Sequence, residues 1–480
     1  MEVLASAANK VLNPLVVDLD GTLIASDLLI ESFFHCVGKS PTSLPSLLSS
    51  LLKGRAQLKQ ALASLVDIDV ATLPYNQEVL GLIEDARRQG RQVFLATATN
   101  ERFARAIADH LGVFDGVFAS STDHNLAGAN KAVALTEAFG EGGFDYIGNH
   151  RSDLAIWRHA GNRYAIGLDA GTLKKLHELG NVIVLKSAPA NLKTWRRALR
   201  VHQYAKNILV FVPAFAAHAF NLEIILQSCA AFFAFCAAAS AIYLLNDLVD
   251  LSDDRLHPSK RNRPLASGAL SGHAALAAIP ILGLCAVVAC MFLPWIFALT
   301  LAGYIVLTTC YSFWLKRKKL GDVVGLALLY TIRLLAGAAA TGIVLSEWIL
   351  AFSLFAFTSL ALIKRYTELL VRLDNNLPES SSRAYIKDDL FILAALAAAC
   401  GTNAVTVFTL YITSDAVKAM YRHPNYLWIL SPILLFLLAR ALMVAHRRDM
   451  HDDPVIWALR DRTSRIAMAC SFLIVVLASL

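Results

Sequence analysis

Charged residues are scarce in this 480-residue sequence. Asp, Glu, Lys and Arg make up only 17% of the chain, whereas apolar residues make up 56% and the mean hydropathy is +0.52. This composition excludes a wholly soluble globular protein. The net charge of +7 would suit nucleic-acid binding, but Lys and Arg fall in short clusters between apolar runs. Membrane topology therefore explains the basic balance better, and no nucleic-acid partner is expected.

Paired cysteines and a secretion signal are also missing. The eight cysteines include no CxxC spacing, and all but Cys36 lie in or beside apolar runs. This pattern argues against a zinc site or a disulfide framework. The amino terminus shows no long apolar segment followed by a cleavage site, so no signal peptide is expected and the N-terminal region should stay in the cytoplasm.

Short apolar runs alternate with helix-like segments between about residues 14 and 186. The runs are PLVVDLD, RQVFLAT, DGVFAS, FDYIGN, RYAIGLD and NVIVLK. This alternation predicts a multidomain protein whose N-terminal part is α/β, a Rossmann-like parallel sheet covered by helices. Ligands gather at the carboxyl ends of such strands, and the first run ends in Asp18-Leu19-Asp20-Gly21-Thr22. Carboxylates spaced i, i+2 share one side of an extended strand, and Gly21 permits a sharp turn.

The DLDGT motif resembles the first motif of the haloacid-dehalogenase-like (HAD) phosphatases, and later marks of that family follow in order over residues 12–185. Thr97 matches the phosphate-binding hydroxyl of the second motif, Lys131 the phosphate-neutralising lysine of the third, and Asp153 the last acid of the fourth. The resemblance also implies a helical cap at 24–90.

The same resemblance implies specific roles for the acids. Asp18 would be the nucleophile that forms an aspartyl-phosphate, and Asp20 the general acid/base. Mg²⁺ would bind Asp18, the backbone carbonyl of Asp20, and Asp153. Asn149 stands where the family usually has Asp, which removes one negative charge. A phosphatase is one expectation, and a degenerate phosphate-binding or scaffolding head is the other.

Apolar runs of bilayer length dominate the rest of the chain. They predict an all-α membrane bundle of about nine spans, near 207–220, 223–245, 271–293, 295–314, 322–343, 345–363, 390–412, 426–445 and 463–480. Lys and Arg cluster after every second span, which predicts a cytoplasmic head and places Leu480 outside. The predicted organisation is a head at 1–190, an amphipathic basic linker at 191–206 and a membrane domain at 207–480.

An acidic segment follows the second predicted span. Asp247, Asp250 and Asp254 are spaced i, i+3, i+7 and would line one face if the helix continued. Such close carboxylates repel one another unless a cation holds them, so a divalent ion with a phosphate substrate is expected. Lys260 and Arg263 follow within the same loop.

The pattern NDxxDxxxDR followed by KRNRP resembles the first aspartate-rich motif of the UbiA superfamily of intramembrane prenyltransferases, over residues 195–480. The likeness is strongest to the branch that joins phosphoribosyl pyrophosphate (PRPP) to a polyprenyl phosphate. Further matching residues are Lys206, Asn207, Asn246, Tyr311, Lys316, Asp322, Arg333, Lys364, Arg365, Glu368, Asp453 and Asp461.

A second acidic cluster is missing where enzymes that ionise an allylic diphosphate usually have one. The sequence there is Lys364-Arg365-Tyr366-Thr367-Glu368, and a basic pair suits direct contact with phosphate. This arrangement favours PRPP, with its pyrophosphate carried by Mg²⁺ on Asp247, Asp250 and Asp254. Arg333 lies several residues inside an apolar run, which is costly unless the side chain is paired or faces a polar cavity.

The resemblance implies a phosphoribosyltransferase of a bacterial cytoplasmic membrane. Lys206, Lys260, Arg263, Arg333, Lys364 and Arg365 would bind phosphates, and Glu368 would orient a base or a ribose hydroxyl. The other substrate-binding residues that the resemblance implies are Asn207, Asn246, Tyr311, Lys316 and Asp322. The head would then remove the 5-phosphate and yield polyprenylphosphoryl-ribose for envelope glycans. One alternative is a UbiA-type aromatic prenyltransferase that uses a polyprenyl diphosphate, and another is a transporter or lipid-binding protein. A homo-oligomer is an open option.

Overall fold

The computed structural model describes residues 12–120, 125–186, 190–374, 385–450 and 453–480. The chain divides into two compact units. The first unit comprises Met1–Leu199 with Tyr243–Pro280, and the second comprises Arg200–Ile242 with Ile281–Leu480. The aspartate-rich segment, which lies within the range 207–480 predicted as the membrane domain, therefore packs in the same unit as the N-terminal head.

A six-stranded parallel sheet forms the centre of the head, which confirms the α/β prediction. Its order is β3-β2-β1-β4-β5-β6, and each predicted apolar run overlaps one strand. The bounds are Leu15–Val17 (β1), Val93–Asn100 (β2), Gly116–Ser120 (β3), Asp145–Gly148 (β4), Arg163–Ala165 (β5) and Val182–Val184 (β6). Val16 pairs with Phe94 on one side and with Tyr146 on the other. Since β1 lies inside the sheet, the acids that follow it stand next to the ends of β2 and β4.

Eight helices accompany this sheet. They are Leu28–Lys39 (α1), Leu44–Leu52 (α2), Arg55–Leu65 (α3), Gln77–Arg88 (α4), Glu101–Leu111 (α5), Ala129–Phe139 (α6), Leu154–Trp157 (α7) and Ala170–His177 (α8). Helices α1 to α3 enclose an apolar cluster of their own around Leu47, Leu58 and Leu62. Val79 and Ile83 of α4 instead join the apolar cluster of the sheet. The range 24–90 predicted as a cap thus contains two packing groups.

Helices form nearly all of the remaining chain. Their bounds are Leu192–Ala198 (α9), Val212–Ala216 (α10), Leu222–Val249 (α11), Leu251–Leu256 (α12), Gly272–Cys290 (α13), Trp295–Phe313 (α14), Gly321–Thr341 (α15), Glu347–Asp374 (α16), Leu390–Thr413 (α17), Asp415–Met420 (α18), Leu430–His446 (α19), Pro454–Arg460 (α20) and Arg462–Ser479 (α21). Within the described residues, eight helical segments are long and apolar enough to cross a membrane.

The span predicted at 207–220 is not among these eight. The chain there forms a 3₁₀ helix, Val201–Phe211, followed by the five-residue α10. A run of 14 residues is shorter than the roughly 20 that an α-helix needs to cross the hydrocarbon core. The placement of Leu480 outside relied on an odd number of spans and stays a prediction. The basic stretch predicted at 364–387 passes through 375–384, which lie outside the described residues.

Small residues bring segments of the second unit together. Ala361 on α16, Ala397 on α17 and Ala441 on α19 belong to one buried cluster, and small side chains allow membrane helices to approach closely. A Cβ atom on Gly337 of α15 would lie 2.0 Å from the carbonyl oxygen of Val210. Only glycine at position 337 therefore lets the 3₁₀ segment lie directly against α15.

Candidate active sites

The head site is built around Asp18 at the end of β1. Its Oδ1 accepts a hydrogen bond of 2.6 Å from Lys131 Nζ, and its Oδ2 accepts one of 3.2 Å from Thr22 Oγ1. Lys131, on α6, also donates to the carbonyl of Ala96 and to the hydroxyl of Tyr146, at 3.1 and 3.2 Å. Asp18 and Lys131 are both buried, so the structure brings the predicted nucleophile and the predicted phosphate-neutralising lysine together.

Asp20 is held by two donors and is strongly desolvated. It accepts hydrogen bonds from the backbone N–H of Leu28 at 2.9 Å and from Thr99 Oγ1 at 2.6 Å. Burial, followed by the charge of Asp27, raises the pKa of Asp20 to about 7. A carboxyl with such a pKa exchanges protons readily near neutral pH, as a general acid/base requires. Thr99 is a site residue that the sequence motifs did not indicate. It follows the predicted Thr97 by two residues on β2 and so shares its side of the strand, and the N–H of Thr99 donates to Thr97 Oγ1 at 3.0 Å.

Asp153 completes the acidic group in the head. Its Oδ2 accepts hydrogen bonds from the backbone N–H groups of Asn149 and His150, at 3.1 and 2.9 Å, and its Oδ1 accepts one of 3.3 Å from Tyr146. Burial and then the charge of Asp18 raise the pKa of Asp153 to about 6. The Asn149 side chain lies against the turn at Gly21, because a Cβ atom on Gly21 would stand 2.0 Å from Asn149 Nδ2.

These oxygens suit a divalent cation. Asp18 and Asp153 are buried carboxylates that bring two negative charges to the single positive charge of Lys131. Hard oxygen ligands of this type are those that Mg²⁺ prefers. Over the described ranges, no three side chains of His, Cys, Asp or Glu are arranged to hold a metal ion. The implied set consists of two carboxylates and the Asp20 carbonyl, so the residues fit the ion without such a triad.

The aspartate-rich segment does not continue as one helix. Helix α11 ends at Val249 and α12 begins at Leu251, with Asp250 between them at φ −93° and ψ 14°. The predicted single face of three aspartates is therefore broken at Asp250. Arg263 instead links the outer two, since its Nη1 donates to Asp247 Oδ1 at 3.1 Å and to Asp254 Oδ2 at 2.6 Å.

Asp254 retains an oxygen that suits a further ligand. Its Oδ1 is buried and accepts no hydrogen bond from the described residues, while Lys260 Nζ stands 3.8 Å away. Burial raises the pKa of Asp254, although Arg263 and Lys260 oppose the shift. An unsatisfied buried carboxylate oxygen beside a second acid, Asp247, fits a divalent cation with its phosphate ligand.

In the second unit, Asp453 forms ion pairs with two of the predicted phosphate-binding lysines. Its Oδ2 lies 2.8 Å from Lys206 Nζ and 3.0 Å from Lys364 Nζ. Its Oδ1 accepts hydrogen bonds of 3.1 Å from the Tyr330 hydroxyl and 3.2 Å from the Val455 N–H. Burial would raise the pKa of Asp453, but Lys364 and Lys206 hold it well below the usual range. Asp453 matches the UbiA resemblance without an implied role, and nothing in its local sequence pattern indicates these partners.

The buried guanidinium of Arg333 has hydrogen-bond and aromatic partners, which offset the cost of burying a cation in an apolar helix. Its Nε donates to Asn207 Oδ1 at 2.8 Å, and it also donates to the carbonyl of Leu329. The guanidinium lies over the rings of Tyr304 and Tyr330, with centroid distances of 5.0 and 5.8 Å. Arg333 and Asn207 are therefore in direct contact, and substrate binding by either residue stays a prediction.

Lys364 and Arg365 point to different partners although they are neighbours. Arg365 Nε lies 2.6 Å from Asp322 Oδ2, its Nη1 contacts Glu368, and its Nη2 donates to the hydroxyl of Tyr311 at 3.1 Å. Asp322 is fully buried and also accepts from Tyr385 at 2.5 Å. Arg365 is therefore neutralised by two carboxylates, whereas Lys364 shares Asp453 with Lys206.

Two further predicted residues, Lys316 and Asn246, lie near the ends of helices. Lys316 lies in the 3₁₀ turn Leu315–Arg317, which follows α14. Asn246 lies near the C-terminal end of α11, where its carbonyl accepts the N–H of Asp250 at 2.9 Å. Substrate binding by these two residues stays a prediction.

The fold and the sites define a multi-pass membrane protein with a HAD-like α/β head. The sequence matches the UbiA prenyltransferase family over residues 208–460 and the haloacid dehalogenase-like hydrolases over residues 15–158. The chain therefore belongs to the UbiA prenyltransferase family and carries an N-terminal HAD-like domain, which confirms both resemblances.

Three relatives illustrate this similarity. Protein y4nM of Sinorhizobium fredii is 36% identical over 455 residues, which cover 94% of this chain and 88% of y4nM. Nodulation protein NoeC of Azorhizobium caulinodans is 36% identical over 284 residues, 57% of this chain and 90% of NoeC. Decaprenyl-phosphate phosphoribosyltransferase of Mycobacterium tuberculosis is 34% identical over 192 residues, 39% of this chain and 64% of that enzyme.

Proposed function

We propose that this protein transfers 5-phosphoribose from PRPP to a polyprenyl phosphate and releases pyrophosphate. We further propose that the head removes the 5-phosphate from the product, and that the protein works in a bacterial cytoplasmic membrane with its head in the cytoplasm. The similarity to a decaprenyl-phosphate phosphoribosyltransferase supports the first step, and the HAD-like domain supports the second.

The observation that carries the proposal is the Asp453 cluster, in which Lys206 and Lys364 share a single carboxylate. The net positive charge of this cluster suits a phosphate group bound directly, whereas an allylic diphosphate held by Mg²⁺ would favour a second group of carboxylates. In its own unit, the Asp247 and Asp254 pair is bridged by Arg263, and Asp254 Oδ1 is left to bind a divalent cation that carries a pyrophosphate.

The transfer step is a substitution at C1 of ribose. An oxygen of the lipid phosphate forms a bond to C1 while the bond from C1 to the pyrophosphate oxygen breaks. The nucleophile is already an anion, so this step requires no strong protein base. Lys206 and Lys364 would hold phosphate charge, and Asp247 and Asp254 would bind Mg²⁺, which when bound neutralises the leaving pyrophosphate.

The head step is the hydrolysis of a phosphate ester. Asp18 would attack the phosphorus of the 5-phosphate, and Asp20 would donate a proton to the departing 5-hydroxyl. Water would then attack the aspartyl-phosphate, with Asp20 as the acceptor of its proton, and inorganic phosphate would leave. Lys131, 2.6 Å from Asp18, would neutralise phosphate charge throughout.

Mass spectrometry of the lipid product tests both steps. The purified full chain in detergent with Mg²⁺ would receive PRPP and polyprenyl phosphate. A ribosyl lipid is expected from the wild type, and a phosphoribosyl lipid is expected to accumulate with Asp18→Asn. Asp67→Asn is the matched control, because the Asp67 side chain is 94% exposed. Equal inactivity of the wild type and Asp18→Asn on isolated phosphoribosyl lipid would reject the head step. Product formation only from a polyprenyl diphosphate and an aromatic acceptor would reject the transfer step in favour of an aromatic prenyltransferase.

A further inference from the structure

We infer that Glu31 of the head is a positioning residue for the aspartate-rich segment, so that the head holds Asp254 in place whether or not it hydrolyses phosphate. The inference rests on the proposed function, in which Asp254 serves the transfer reaction. It starts from a buried ion pair between Glu31, on α1, and Arg255, which directly follows Asp254 on α12. All of these residues belong to the first compact unit.

The ion pair has a directional geometry. Arg255 Nη1 donates to Glu31 Oε2 at 2.8 Å, and Nη2 donates to Oε1 at 2.5 Å. Arg255 Nε also donates to the carbonyl of Ala266 at 3.1 Å. The side chains of Arg255 and Glu31 are only 5% and 7% exposed. Desolvation makes a buried ion pair a poor source of stability compared with apolar packing, but a bidentate guanidinium fixes orientation. The main effect of this ion pair is therefore to fix the orientation of Arg255 relative to Glu31.

Helix α12 depends on such contacts for its orientation. It has six residues, Leu251–Leu256, and helices this short are unstable without tertiary packing. Its first turn is also held by the head, since His35 on α1 forms a hydrogen bond of 3.0 Å with the Ser252 hydroxyl. Asp254 thus sits between two residues, Ser252 and Arg255, that are both bound to α1.

Close backbone approaches flank the ion pair on both sides. Before α12, a Cβ atom on Gly38 would lie 2.8 Å from Val249 Cγ1. After α12, a Cβ atom on Gly268 would lie 2.6 Å from Ala25 Cβ, and Gly268 has a φ of +75°. The head therefore packs against the chain on both sides of Asp254.

Glu31 is also connected to the catalytic turn of the head. The Ser26 hydroxyl donates to Glu31, and the Ser26 carbonyl accepts the N–H of Gly21 at 2.9 Å. Gly21 directly follows Asp20. Loss of Glu31 therefore removes a connection between the segment that carries Asp254 and the loop that carries the head acids.

The test compares Glu31→Gln, the double variant Glu31→Gln/Arg255→Met and the exposed control Glu78→Gln, all in the full chain. Misplacement of a catalytic group by about 1 Å costs up to about 100-fold in rate, so Glu31→Gln is expected to lower kcat for phosphoribosyl transfer by about 10- to 100-fold. The KM for polyprenyl phosphate should change by less than about twofold, because no contact to the lipid is altered. The double variant removes the unpaired buried charge, so its melting temperature should recover while its kcat stays low.

Hydrogen exchange of the backbone amides of residues 250–263 is a second measurement, and it requires no substrate. Faster exchange there in Glu31→Gln than in Glu78→Gln is the expected result. Recovery of kcat together with stability in the double variant would show a merely structural pair and overturn the inference, as would unchanged exchange. A wild type that forms neither phosphoribosyl lipid nor ribosyl lipid would overturn the proposed function, while the exchange comparison would still decide whether Glu31 holds the segment.

Discussion

The site of the head and the Asp453 cluster of the second unit use the same residue types in opposite proportions. In the head, Asp18 and Asp153 face the single amine of Lys131. In the other cluster, Asp453 is shared by Lys206 and Lys364. Burial and then the charge of Asp18 raise the pKa of Asp153 to about 6, whereas Lys364 and Lys206 outweigh burial and hold the pKa of Asp453 well below its usual range.

This difference indicates which charge each site still needs. An excess of buried carboxylate is relieved by a bound cation, and an excess of ammonium is relieved by a bound anion such as phosphate. The head is therefore suited to a divalent ion together with a phosphoryl group, and the Asp453 cluster to phosphate alone. The acidic pair Asp247 and Asp254 differs in charge, because Arg263 and Lys260 lie beside it, and it shares with the head only a buried oxygen that suits a cation, Asp254 Oδ1.

The largest effect is expected for Asp254→Asn. The variant keeps the shape of the side chain but loses a charge that we assign to cation binding, so phosphoribosyl transfer should fall by about 10²- to 10³-fold. The matched control is Asp253→Asn, an exposed neighbour on the same short helix. Rates at increasing Mg²⁺ concentration would measure the effect. Equal activity of the two variants would break the comparison with the acidic head site.

A loss of about 100-fold in phosphate release is expected for Lys131→Met in the head. The substitution removes the cation 2.6 Å from Asp18 and leaves the carboxylates unbalanced. Lys174→Met, at an exposed position on α8, is the control. Release of inorganic phosphate from phosphoribosyl lipid gives the measurement, and wild-type release by Lys131→Met would contradict the role assigned to this lysine.

A smaller effect, on substrate affinity, is expected for Lys206→Met and Lys364→Met. Each removes one of two lysines from a shared carboxylate, so the KM for PRPP should rise about tenfold while kcat changes less. Lys418→Met, which alters an exposed lysine, serves as the control. Initial rates at varied PRPP separate KM from kcat. An unchanged KM in both variants would show that the Asp453 cluster does not hold this phosphate.

The smallest effect on transfer is expected for Asp453→Asn, which should act mainly on stability. Two lysines lose their shared carboxylate, so the free energy of unfolding should fall by about 3 kcal/mol. The depressed pKa means that this contribution is present at every pH above about 4 and is lost on further acidification, as the carboxylate becomes protonated. Thermal melting in detergent at pH 7 measures the loss. Pyrophosphate should restore the variant more than it stabilises the wild type, and equal stabilisation would contradict the anion-binding assignment.

Much of the head could be predicted from sequence because its signals are local. The six apolar runs correspond to the six strands, and Asp18 stands at the end of β1 as its motif indicated. The acidic segment is only partly predictable, since a shared face of the three aspartates depends on a continuous helix and the chain interrupts the helix at Asp250. The partners of Lys364 and Arg365 were not predictable, because successive residues on a helix point to different faces. Adjacent basic residues therefore belong to separate clusters.

The sequence by itself determined the strands of the head, the apolar length of the membrane helices and the position of the acidic motifs, because these depend on neighbouring residues. Tertiary structure alone decided which charges meet. Lys206 pairs with Asp453, which is 247 positions away in sequence, and Glu31 pairs with Arg255, which is 224 positions away. Such pairs form only when packing brings distant segments together, and burial then makes each partner necessary to the other.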